Sequence, residues 1–222
     1  MIERLPSALL ARRGGQTIVA GKRNPAMQRV SDALRSGLTW YVQGELQLAN
    51  TARLVSKFQE QFPPLTRDKR YASRRKLAGQ PRYRLIVFAN RPSAQGLFWL
   101  MTDRPEDPRE QWRDALGDPP TCYQWEAVRR TRAGASEPSW TWAATREHFH
   151  ETKARIRKAI RQGRPEDAVA FGVESRTWPG FAGVREQRAA LARIYSAEWA
   201  RTRSDEPPPW PRLSYVQRLK TA

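Results

Sequence analysis

The stretches YRLIVFAN at residues 83–90 and GLFWLMT at 96–102 are joined by Arg91-Pro92-Ser93-Ala94-Gln95. Within them, Leu85–Phe88 and Leu97–Leu100 run without a polar residue. Continuous apolar runs this short, bounded by turn formers, read as strands covered on both faces, whereas alternation marks a strand with one wet face. The two segments therefore predict a central hairpin in a sheet that needs helices packed on it. Trp99 lies inside the second run and is assigned to the core, as is Trp125.

Elements on either side fit that plan. Leu38, Trp40 and Val42 alternate with Thr39, Tyr41 and Gln43, which predicts another strand. From Gln47 to Phe62, the residues Leu48, Ala52, Val55, Phe58 and Phe62 share a helical face that stops at Pro63-Pro64. Asn24 and Pro25 read as the N-cap and first position of a helix carrying Met27, Val30 and Leu34, ended by Gly37. Arg4–Ala11 predicts a short helix before a Gly14-Gly15 break. Beyond the hairpin, Glu106–Leu116 predicts a short acidic helix, stopped by Gly117-Asp118-Pro119-Pro120. Cys122–Arg130 and Ser139–Ala144 predict a second hairpin around Ala133-Gly134-Ala135. Thr145 reads as the cap of a long helix to Gln162, a shorter helix follows Pro165, and Ala182–Arg203 forms the last. The segment Pro207-Pro208-Pro209-Trp210-Pro211 is extended, and Tyr215–Lys220 is expected to dock as one turn. The expected class is α+β: an antiparallel sheet of four to five strands covered by helices, with a C-terminal helical region. The expected division is an α+β domain over residues 1–144 and a basic helical region with a Pro-rich tail over 145–222.

Charge narrows the functional classes. The 222 residues include 40 Lys+Arg against 22 Asp+Glu, a net charge of +18. Self-repulsion on that scale is relieved most directly by a polyanion, because each neutralised phosphate releases a condensed counterion. Of the cations, 33 are Arg and 7 are Lys. A planar guanidinium grips phosphate bidentately and stacks on bases, although a GC-rich coding sequence also favours Arg. Residues 1–102 carry +13, residues 103–144 carry −2 and residues 145–222 carry +7, so the expected footprint draws on both ends of the chain.

Other classes are disfavoured. Nine Trp, seven Phe and six Tyr are too many for a disordered chain. No apolar stretch approaches the roughly 20 residues of a membrane span. The opening MIERLPSALLARR has Pro6 inside a short apolar patch and does not read as a signal peptide. A cytoplasmic chain without a membrane partner is the expectation. The single Cys122 gives neither a disulfide framework nor a thiolate zinc site.

Two segments stand out as phosphate-binding candidates. Between Arg67 and Arg84 lie eight cations (Arg67, Lys69, Arg70, Arg74, Arg75, Lys76, Arg82 and Arg84) and one acid, Asp68. This reads as a loop or arm entering a phosphate-lined groove, with Tyr71 and Tyr83 available for base stacking. In the predicted helix after Thr145, Arg146, His150, Lys153, Arg157 and Arg161 step by three or four residues into one stripe. Lys158 adds to it, and from Lys153 to Arg164 there are six cations and no acid. Phe149, Ile156 and Ile160 supply the apolar face. Trp140, Trp142 and Trp178 are possible stacking residues, and so is Trp210.

Catalytic patterns are sparse. His148 and His150 are the only histidines, and on a helix they diverge too far to chelate one metal. No HExxH, phosphate-loop or dinucleotide-binding pattern is present. The resulting expectation is a non-catalytic DNA- and/or RNA-binding subunit without metal or cofactor. It would act with other protein subunits in a nucleoprotein assembly, such as a plasmid- or phage-borne RNA-guided DNA-targeting effector. A nuclease built on converging carboxylates or His150, and a regulatory module docking proteins through its Pro-rich tail, are the alternatives.

Overall fold

Five consecutive apolar residues from Leu85 to Ala89 leave a strand no wet face, and all five are buried at the middle of a sheet. The computed structural model describes residues 15–90, 93–131 and 134–211. The helices expected at Arg4–Ala11 and Tyr215–Lys220, and Gly14, Arg91, Pro92 and Ala133 of the expected turns, lie outside the described residues.

The central hairpin forms as expected. Tyr83–Asn90 (β3) and Gln95–Thr102 (β4) pair antiparallel, with Leu85 opposite Leu100 and Val87 opposite Phe98. Thr17–Ala20 (β1) flanks β3, Trp40–Gln47 (β2) flanks β4, and Arg113–Asp114 (β5) pairs with β2. The sheet order is β1-β3-β4-β2-β5. Because β1 runs parallel to β3, the sheet is mixed rather than wholly antiparallel. A parallel pair needs a long crossover, and here it spans Arg23–Arg35 (α1), β2, Thr51–Gln61 (α2) and Lys69–Leu77 (α3).

Helices cover the two faces. Helix α1 packs on β1 and β3 through a buried stripe of Ala26, Met27, Val30 and Leu34. Helix α2 and the following 3-10 turn, Pro63–Thr66, bury Val55, Phe58, Phe62 and Leu65 against Tyr83, Leu85, Val87 and Leu100. Each large side chain so buried contributes roughly 1.5–3 kcal/mol. Trp99 is fully buried, and its indole N–H has two acceptors, the Gln43 Oε1 at 2.9 Å and the Thr121 carbonyl at 3.2 Å. Gln43 Nε2 also donates to Thr121 Oγ1 at 2.8 Å, so Gln43 and Thr121 together satisfy the polar edge of this fully buried ring. A second two-residue strand, Thr121–Cys122 (β6), ends this unit.

The chain divides between Cys122 and Tyr123, which groups the second hairpin with the C-terminal helices instead of the 1–144 block. Trp125–Arg130 (β7) and Ser139–Ala144 (β8) are the long antiparallel pair of a three-stranded sheet. Thr145 caps Arg146–Arg161 (α4), accepting from the His148 amide at 3.3 Å. Pro165–Glu174 (α5) and Ala182–Thr202 (α6) pack against α4 around Ile156, Ile160, Ala168, Leu191, Tyr195 and Trp199. The Pro-rich segment folds back over this core. Trp199 donates to the Asp205 carbonyl at 2.9 Å, Tyr195 donates to the Pro208 carbonyl at 3.0 Å, and the Trp210 ring lies 5.2 Å from that of Tyr195.

Five local expectations change. Cys122–Arg130 is not one strand, because a turn with Tyr123 at φ +55° separates β6 from β7. Residues 106–116 do not form a helix. Pro108 lacks an amide hydrogen, and Asp107 instead accepts from the Arg109 amide at 2.9 Å while its carbonyl accepts from the Trp112 indole at 2.9 Å. Gln47 belongs to β2, and a 3-10 turn at Leu48–Asn50 precedes α2. Helix α1 starts from Lys22, with Pro25 in its first turn, where no amide bond is lost. The basic segment expected as a loop contains α3. Asp68 caps that helix by accepting from the Tyr71 amide at 2.9 Å. Gly79 at φ +65° lets the Gln80 amide bond back to the Arg75 carbonyl at 2.9 Å.

Close approach of α6 to β8 depends on Gly183, where an added Cβ would sit 2.6 Å from the Trp142 carbonyl oxygen. Gly183→Ala is expected to destabilise the protein by about 1–3 kcal/mol, measured by urea unfolding. An unchanged midpoint would show that α6 can move away from the strand.

Candidate nucleic-acid interface

Helix α3 is a nine-residue element with no buried side chain. A helix this short is not stable alone in water, so its caps and the bond from Arg75 Nε to the Pro81 carbonyl at 2.6 Å hold it to the sheet. Lys69, Arg70, Arg74 and Lys76 are exposed, with Arg67 immediately before the helix. The three cations of the last turn complement the helix dipole, whereas Lys69 in the first turn opposes it. Tyr71 is half-buried among them: the guanidinium carbons of Arg67, Arg74 and Arg75 lie 5.9, 6.0 and 5.9 Å from its ring centroid.

Arg82 and Arg84 do not join this set. Arg82 donates through Nε to Asp103 at 2.6 Å and through Nη2 to the Ser36 carbonyl at 2.9 Å, which closes the end of α1 onto β3. Arg84 is half-buried on β3, where burial lowers its affinity for a proton despite the nearby Asp32. Tyr83 is also unavailable for stacking, because it is buried with its ring 4.7 Å from Phe62.

The second surface lies on α4. His150, Lys153, Arg157, Lys158 and Arg161 line a groove of about 480 Å³ whose lining residues include no carboxylate. Arg146 is exposed at the N-terminal end of the helix, outside that lining. The opposite face buries Ile156 and Ile160 with Phe149 packed alongside, as the spacing predicts. Arg155 turns away, its guanidinium 4.1 Å from the Phe171 ring centroid.

Beneath the groove sits Glu198 of α6, only 6% exposed. Its carboxylate accepts from Arg161 Nε at 2.7 Å and from Arg201 Nη2, with Arg157 Nε 3.8 Å away. The hydrogen bonds from Arg161 and Arg201 hold its pKa down at about 2. One anion thus fixes three guanidiniums, and the cluster retains a positive excess. Lys153 and Lys158 form no ion pair among the described residues. The sequence indicated the stripe but not this anchor, since Arg161 and Glu198 are 37 positions apart.

The tryptophans are mostly structural. Trp142 is fully buried and Trp140 is 7% exposed, so neither offers a face to a base. Trp178 is half-buried and meets the Trp125 ring edge-on at 5.3 Å. His148 sits in the same aromatic cluster, 5.6 Å from Trp125 and 5.3 Å from Trp178. Burial lowers the pKa of His148, and Glu151 and Glu174 only partly oppose that. Burial pushes the Cys122 thiol up to about 12. Among the described residues, no three His, Cys, Asp or Glu are grouped to hold a metal ion, and no helix is long and apolar enough to cross a membrane.

No family model matches the chain, and no curated protein or solved structure is detectably similar to it.

Because the folded pKa of Glu198 is depressed from 4.5 to about 2, its contribution is present above pH 4.5 and lost as pH falls through 2. Thermal unfolding across this window is expected to lose less stability in Glu198→Gln than in the wild type, with the variant less stable near neutral pH. Parallel pH profiles would remove the carboxylate from its role as anchor.

Proposed function

We propose that this chain is a non-catalytic nucleic-acid-binding protein that grips a DNA or RNA backbone by charge, and that it acts as one component of a larger nucleoprotein assembly. The observation that carries this reading is the α4 groove: a lining with four Lys/Arg and no carboxylate, ordered from below by Glu198. A buried acid that orients guanidiniums without cancelling them produces a fixed array of donors, which suits the repeating charge of a phosphate backbone. The exposed cations of α3 provide a second array of the same sign.

Nucleic acid is favoured over a generic polyanion by the 33 Arg, whose planar groups match phosphate geometry. A non-catalytic role draws support from Cys122, whose thiol is buried and protonated, and from the α4 groove, where His150 stands among cations with no carboxylate in the lining to work beside it. Participation in an assembly draws support from Leu77, 89% exposed at the end of α3, an apolar contact available to a protein partner. Against a docking role for the Pro-rich tail stand its bonds to Tyr195 and Trp199 of its own chain.

Binding is expected to weaken by about 10³–10⁵ between 50 and 200 mM salt if roughly 6–10 phosphates are contacted. Replacing Lys153 and Lys158 with Gln is expected to weaken binding to all sequences alike and lower the log–log salt slope by about two. Arg70→Gln with Arg74→Gln and Lys76→Gln is expected to lower it by about three. Filter binding over a salt series reads both. A slope untouched by either set would defeat the assignment of these surfaces.

A further inference from the structure

The unit ending at Cys122 contains a cleft of about 650 Å³ next to the cationic helix, with a chemistry unlike that of the α4 groove. Phe62 and Tyr83 are buried with their rings 4.7 Å apart, and Tyr71 adds a partly exposed ring to the lining. Arg75 and Arg109 bring guanidiniums to the lining, and Glu106 brings an exposed carboxylate. Asp107, also in the lining, is already engaged: it accepts from Arg109 Nε at 2.9 Å and Nη2 at 2.6 Å. Glu106 has no such partner among the described residues. The cleft therefore combines aromatic surface, fixed guanidiniums and one uncommitted acceptor.

This volume is in the range of clefts that hold small ligands. We propose that the cleft takes a single unpaired nucleobase from a strand whose backbone passes over α3, a reading that rests on the nucleic-acid assignment above. A paired base in a duplex presents no free ring face to Tyr71, so the site selects single strands. The Glu106 carboxylate accepts from an exocyclic amine and is repelled by the carbonyl oxygens of thymine or uracil. This favours cytosine and other amino-bearing bases. Arg75 and Arg109 hold the adjoining phosphates, while the cations of α3 supply the sequence-independent part of the affinity.

The test compares fluorescein-labelled single-stranded dodecamers of deoxycytidine and deoxythymidine, and a mixed-sequence duplex, on the full-length protein at low salt. The wild type is expected to prefer the cytidine oligomer by about tenfold, and single strand to duplex. Glu106→Gln is expected to abolish the base preference while leaving the salt slope unchanged. Tyr71→Leu, which keeps the helix backbone and its cap, is expected to abolish the preference for single strands. Circular dichroism checks that both variants fold. Equal binding of the two oligomers, with salt-dependent affinity intact, would overturn the base site and leave the phosphate grip standing. No binding of any of the three at 50 mM salt would overturn both.

Discussion

Mutual repulsion among 40 cations is the constraint around which this molecule is built, and its carboxylates are placed accordingly. The buried Glu198 and the half-buried Asp103 sit where two elements must be held together. Glu198 joins α6 to α4 through Arg161 and Arg157, and Asp103 joins the end of β4 to Arg82 before β3. Asp107 orders the loop that replaces a helix after β4. Along α1, Asp32 faces Arg29 and Arg35, but those pairs are exposed and contribute little. Acids thus secure joints, and the surplus of positive charge is left on α3 and on the outer face of α4.

That arrangement explains which parts could be read from the chain. The apolar runs of β3 and β4, the stripe of Met27, Val30 and Leu34, and the alternation of apolar and basic residues on α4 are local patterns, and each became the element it implied. The parallel pairing of β1 is hidden because a strand of four residues, three of them half-buried, carries little periodicity and finds β3 only across some 65 intervening positions. The false helix at 106–116 had a suitable composition. What decided it was a side chain bonding its own backbone, which composition does not express.

Candidate binding residues divided along the same line. The cation stripe of α4 follows from helical spacing, which fixes which side chains share a face, whereas the exposed cations of α3 lie in a segment whose composition reads as a loop. Trp99 and Trp125 pack as their strand patterns imply, and the possible stacking residues Trp140 and Trp142 are core as well, because a ring near loop residues in sequence can still be at the heart of a packed layer, as Trp142 is against Phe181. Arg82 and Arg84 counted toward a basic run, yet strand geometry turned them into supports for α1 and the sheet. Glu198 and the aromatic cleft needed the tertiary fold, since their members come from distant segments.

The docking of the Pro-rich segment on α5 and α6 has a consequence for biosynthesis. Pro211 covers Gly172, and its carbonyl accepts from the buried Arg188 at 3.4 Å, so the layer around Tyr195 and Trp210 closes only with that residue in place. On a ribosome, the first unit has all its strands available once Cys122 has emerged. The helical unit must wait for about 90 further residues, and Trp199 and Tyr195 stay partly uncovered until the segment ending at Pro211 follows them. Assembly of this polypeptide therefore has a built-in direction, with an early sheet and a late-sealed bundle.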